Sequence, residues 1–139
     1  MKWYFPLITL FLIPQLVSGQ KITEGYYDLV KKATHLYLSK EYKNSGINYS
    51  IAFKTSEKSI MLTDRFNAAR SWTLAGYPDS AFIQLETIIH EKCSPFQHII
   101  TERDFDTLHS DKRWNPLCET IRKEVELINA VKLLTPSVG

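Results

Sequence analysis

The sequence predicts an all-α domain in which antiparallel helix pairs stack on one another and a C-terminal helix closes the stack. Three observations carry this prediction. Apolar residues recur at helical spacing in four separate segments. The chain matches itself at an offset of 36 residues. A strong turn signal, Gly76-Tyr77-Pro78-Asp79, separates two of the segments.

The chain opens with an export leader. Lys2 supplies a positive start, residues 3–17 are almost wholly apolar, and Val17-Ser18-Gly19 offers small residues for cleavage before Gln20. The run is shorter than the roughly 20 apolar residues of a membrane span, and Pro6 and Pro14 weaken it as a lasting helix. Residues 1–19 therefore read as a cleaved signal peptide, which directs the protein to a periplasmic or extracellular compartment. No stable membrane span is expected afterwards. Residues 20–134 form one helical domain, and residues 135–139 a disordered tail.

The first helical segment carries Tyr26, Val30, Ala33 and Tyr37 on one face. A second contains Ile47-Asn48-Tyr49-Ser50-Ile51, whose brief strand-like alternation the repeat overrides. Leu62, Phe66, Ala69 and Thr73 mark the next helix, and Ala81, Phe82, Leu85, Ile88 and Ile89 its partner. Leu117, Ile121, Val125, Ile128 and Val131 mark the last. At the 36-residue offset Ala33 falls on Ala69, Leu36 on Trp72, Ser45 on Ala81, Tyr49 on Leu85 and Ala52 on Ile88. Residues 56–58 absorb length between the units.

The second unit explains itself physically. Ala68-Ala69 keeps the first helix slim where its partner crosses, and Trp72 fills the groove between them. Gly76 ends that helix, Pro78 starts the next, and Asp79 is placed to cap it. Asn67 to Ile89 resembles the tetratricopeptide repeat family, most specifically in Ala75-Gly76-Tyr77-Pro78-Asp79-Ser80-Ala81-Phe82. The first unit departs from the pattern, with Lys40 in place of the turn glycine and Lys32 at a usually apolar position. Leu108-His109-Ser110-Asp111-Lys112-Arg113-Trp114 resembles the segment that follows such repeats in exported bacterial proteins of the Bacteroidetes type. The resemblance implies a right-handed stack of about two helix pairs, with Leu108 and Trp114 packed down under a capping helix. Asp111 is a candidate N-cap for that helix, although Pro116 allows a later start.

Site chemistry is sparse. The formal charge is only +2, and 16 basic against 15 acidic residues once Lys2 is removed, with no basic patch; nucleic acid is not an expected partner. His90, Cys93, His98, His109 and Cys118 follow no metal-ligand spacing, so neither metal nor cofactor is expected. Cys93 and Cys118 are either a disulfide in an oxidising compartment or two packed thiols. Asp104 and Asp106 read as turn residues, and no glycine-rich phosphate loop or nucleophile elbow occurs.

The resemblance implies a non-catalytic scaffold for a protein or peptide partner. By it, the first helix of each pair lines a groove, offering Tyr27, Thr34 and Tyr37 from one unit and Thr63, Asn67, Arg70 and Thr73 from the other. The residue types equally allow Tyr37 as core and Arg70 as a surface ion pair. Two further readings stand beside it: a small exported hydrolase using Cys93 or a histidine, and a structural accessory subunit of an envelope complex.

Overall fold

The computed structural model describes residues 25–56, 60–91 and 97–134, and helix is the only regular structure among them. The expected leader at 1–19, the expected tail at 135–139 and Cys93 lie outside the described residues. The helices are α1 (Tyr26–Leu38), α2 (Tyr42–Thr55), α3 (Leu62–Leu74), α4 (Pro78–His90), α5 (His98–Thr101) and α6 (Trp114–Leu134), with a 3-10 helix at Arg103–Leu108.

The starts of these helices keep the period expected from the sequence and extend it. α1, α3 and α5 begin at Tyr26, Leu62 and His98, each 36 residues apart, and α2, α4 and α6 begin at Tyr42, Pro78 and Trp114 with the same interval. The segment expected to be only a cap is thus a third unit in register with the other two. Its first helix is broken into α5 and the 3-10 helix, and its second runs on to 21 residues. Burial follows the period as well. Ala33, Ala69 and Phe105 are fully buried, as are, within a few per cent, Tyr49, Leu85 and Ile121.

The two complete hairpins turn identically. Glu41 N–H donates to Leu36 O and Lys40 N–H to Tyr37 O; 36 residues on, Tyr77 N–H donates to Trp72 O and Gly76 N–H to Thr73 O. This pair of bonds closes a helix around one left-handed residue. Gly76 adopts it at φ 79° and Lys40 at φ 61°. The missing turn glycine of the first unit therefore changes the side chain and not the turn, at a conformational cost of about 1 kcal/mol. Pro78 occupies the first turn of α4. Asp79 does not cap that helix through its side chain; it accepts a hydrogen bond from Arg113 Nη1 at 2.8 Å. Asp111 does bond the chain ahead of α6, accepting from Arg113 N–H at 2.9 Å, and α6 starts at Trp114 with Pro116 tolerated in its first turn.

Side-chain bonds fix how the hairpins pack. Ser45 Oγ donates to Ala33 O at 2.8 Å, which ties α2 to α1, and lies 2.9 Å from Ser71 Oγ on α3. All three of Ala33, Ser45 and Ser71 are inaccessible to solvent. Beside them Gly46 lets α2 lie directly on the indole of Trp72; an added Cβ would stand 2.6–2.9 Å from three ring carbons. The third unit seals the larger core, where Ile99, Phe105, Leu108, Trp114, Leu117 and Cys118 pack with Phe82, Leu85 and Ile88. Arg113 stacks on Phe82 at 4.2 Å and bonds Asp111 and Asp79, pinning the start of α6 to the start of α4. Its hydrogen bonds hold the Asp111 carboxyl down to about 2. No described helix is long and apolar enough to cross a membrane.

Candidate partner-binding groove

α1 and α3 lie side by side in the same direction, because Tyr26 at the start of α1 reaches Asp64 at the start of α3, and Tyr37 near the end of α1 reaches Arg70 near the end of α3. Between these two ties runs the face on which the candidate groove residues sit. Its floor is polar and internally bonded.

At one end Tyr26 Oη donates to Asp64 Oδ2 at 2.5 Å and accepts from Met61 N–H at 3.3 Å. Asp64 is only 8% exposed. It lies in the first turn of α3, where the unpaired amide dipoles favour a negative charge. Burial, together with this bond, pushes the Tyr26 phenol up to about 12. In the middle, Thr34 Oγ1 lies 3.1 Å from Tyr49 Oη, and the Asn67 side chain meets the same phenol. Burial raises the Tyr49 phenol above its ordinary range.

The other end is a closed cluster. Arg70 Nε donates to Asp104 Oδ2 at 2.7 Å and Nη2 to Tyr37 Oη at 2.6 Å, while Tyr37 Oη donates to the same Asp104 oxygen. The guanidinium also lies 4.7 Å from the centre of the Tyr37 ring and 3.8 Å from Glu102 Oε2. Three elements meet here: α1, α3 and the 3-10 helix. The Tyr37 phenol is raised first by burial and then by its bond to Asp104.

These facts place each candidate. Tyr27 is 74% exposed, with its ring edge-on to Tyr26. Thr34 and Thr63 are exposed, and Asn67 is half-buried on the floor. Tyr37 and Arg70 are brought together, with the guanidinium spent on Asp104, so neither is the open ligand contact that the resemblance implied. Thr73 is a correction. It is 3% exposed and its hydroxyl turns back to Ala69 O at 2.8 Å, so it is closed to solvent. Asp104, Tyr26, Asp64 and Tyr49 complete the floor and were not singled out as site residues from the sequence. Asp104 stands about one repeat beyond Arg70, the one signal in the sequence that could have paired them.

The remaining candidates are dispersed. His98 meets the Phe66 ring at 4.8 Å and His109 the Trp114 ring at 4.6 Å. Cys118 is 3% exposed and burial pushes its thiol up, the opposite of the depressed pKa that activates a nucleophile. Its candidate disulfide partner, Cys93, lies outside the described residues. Comparison of the chain with protein-family models, with curated proteins and with solved structures returns no match.

Proposed function

We propose that this chain is an exported scaffold of the tetratricopeptide type that binds a protein or peptide partner along the face shared by α1 and α3 and catalyses nothing itself. The observation that supports this most is the threefold recurrence of helix starts at 36 residues, with two hairpins turning through the same pair of backbone bonds. Stacked helical pairs of this kind present an extended binding face. Export rests on the apolar leader before Gln20. Thr34, Thr63 and Asn67, with Tyr27 at the rim, are the accessible donors and acceptors, and the locked Tyr37–Arg70–Asp104 cluster forms a rigid end wall.

A peptide array probed with the purified protein tests the reading. Bound peptides are expected to perturb the amide resonances of Thr34, Thr63 and Asn67 and to be lost in Thr63→Arg and Tyr27→Ser, both at exposed positions, with the thermal midpoint little changed. Peptides that bind both variants undiminished would show that this face is not the site. Arg70→Glu is unsuitable as a test, because it also breaks the end wall.

One observation favours a second reading, a structural subunit of an envelope complex. The last nine residues of α6 include no buried side chain, and Leu127, Leu133 and Leu134 are 60%, 87% and 81% exposed. Single-sign behaviour in size-exclusion chromatography separates the two: a scaffold runs as a stable monodisperse species alone, whereas a subunit with an uncovered apolar helix end aggregates.

A further inference from the structure

A cleft of about 530 Å³ opens between α4 and α6, with Glu86, Ile89, Leu117 and Thr120 among its lining. Its size lies within the range of ligand pockets. The 36-residue period explains why it is open. At the preceding junction, between α2 and α4, the corresponding place holds the side chain of Arg65. That guanidinium lies 5.3 Å from the centre of the Phe53 ring, donates from Nη1 to Gln84 Oε1 at 3.1 Å, and comes within 3.7 Å of Glu91 Oε1. Its side chain is only 16% exposed.

One period later two of the three partners of Arg65 have counterparts in the cleft lining, while Glu91 is replaced by Leu127 outside it. Ile89 stands where Phe53 stood and Thr120 where Gln84 stood, and both line the cleft. Thr101 stands where Arg65 stood. It is too short to span the gap, and its hydroxyl bonds His98 O at 3.3 Å. The charge around the cleft is also incomplete. Asp79 and Asp111 are both taken by Arg113, Lys112 adds one positive charge, and Glu86 restores a carboxylate on the α4 wall. In the cleft's own lining Glu86 is the carboxylate, beside Lys112, His90 and the Arg113 that Asp79 and Asp111 neutralise.

We propose that the α4–α6 cleft receives an arginine side chain presented by a partner chain, in the place that Arg65 fills from within at the preceding junction. Ile89 and Leu117 take the aliphatic stem and one face of the guanidinium, Glu86 takes its charge, and Thr120 accepts a hydrogen bond. This does not depend on the α1–α3 groove being a binding face.

The test is an amide-resonance titration of the purified protein with N-acetyl-arginine N-methylamide, its neutral citrulline isostere and the norleucine analogue. The arginine probe is expected to shift Glu86, Ile89 and Thr120, with at least tenfold weaker response to the other two. Glu86→Gln, at an exposed position, should weaken the arginine response several-fold. Thr101→Arg should fill the cleft from within, raise the thermal midpoint and abolish the response. Equal shifts with citrulline or norleucine, absence of shifts at the cleft, or an undiminished response in Glu86→Gln would each overturn the proposal, whether or not Thr101→Arg folds.

Discussion

Gly46→Ala separates two forces of opposite sign. In an isolated helix the change is favourable, because alanine loses less backbone entropy than glycine, by about 1 kcal/mol. In this molecule the new Cβ would meet Trp72 Cδ2, Cε2 and Cε3 at 2.6, 2.7 and 2.9 Å. Ordinary carbon contacts lie at roughly 3.5–4.0 Å, so the indole must withdraw by close to an ångström or α2 must lift from α3. Neither is easy. The ring is rigid, Tyr77 packs against it at 5.5 Å, and Ser45, the residue before Gly46, is tied to Ala33 and Ser71. Overpacking of this kind costs about 1–3 kcal/mol. Subtracting the helix gain leaves a net destabilisation of about 0–2 kcal/mol, with a fall in thermal midpoint of about 4 °C for each kcal/mol in a domain of this size. Urea denaturation followed by circular dichroism measures it, and a double-mutant cycle assigns it. In a Trp72→Leu background, where the ring is gone, Gly46→Ala should turn stabilising. The close approach of α2 to Trp72 would be refuted by a Gly46→Ala that stabilises the wild-type background by its full helix propensity.

Three further outcomes are expected. Lys40→Gly should stabilise by about 1 kcal/mol, since the residue at φ 61° then carries no Cβ, read as an increase in urea midpoint at constant m-value. Asp104→Ala should cost about 1–3 kcal/mol, because it strands the Arg70 and Tyr37 donors at the end wall; Asp104→Asn, which keeps an acceptor, should recover part of the loss. The third concerns alkaline pH. Tyr26 has its phenol raised to about 12 in the folded protein, so the neutral form is favoured by folding. That contribution is complete below the ordinary tyrosine value near pH 10 and disappears as pH rises through about 12. The difference in urea midpoint between wild type and Tyr26→Phe should therefore shrink across that window and stay constant below it.

Helix content, the 36-residue offset and the second hairpin were legible in the sequence because each is written in local signals: apolar spacing, the paired alanines at 68 and 69, and the turn from Gly76 to Asp79. The third unit was not, for two reasons. Its first helix is broken after Thr101, and the small residue expected at the crossing is Phe105, so the size pattern that links Ala33 to Ala69 stops there. Lys40 concealed the first turn for a similar reason, since a backbone conformation was preserved while its usual residue was not. The groove was legible as a list of positions and illegible as chemistry. Helical spacing puts Tyr37 and Arg70 on one face, but only the path of the chain after α4 brings Asp104 between them. Thr73 shows the limit of spacing in the other direction: a one-residue step around α3 separates the half-buried Leu74 from a side chain closed to solvent.

The hydroxyl pair of Ser45 and Ser71 bears on how the whole molecule comes apart. In a stack held only by apolar contacts, neighbouring units can slide or peel away with gradual loss of burial, and each unit melts on its own terms. Here a slip of one residue between α2 and α3 parts two hydroxyls closed to solvent, leaving each only its bond to Ala33 O or Asn67 O, and a lost hydrogen bond costs about 0.5–1.5 kcal/mol. Slipped registers are thereby raised above the native one. The first hairpin and the rest of the chain are bound into one thermodynamic unit, so calorimetric and van't Hoff enthalpies should agree in the wild type and diverge once both serines are replaced by alanine, when the first hairpin becomes free to melt alone.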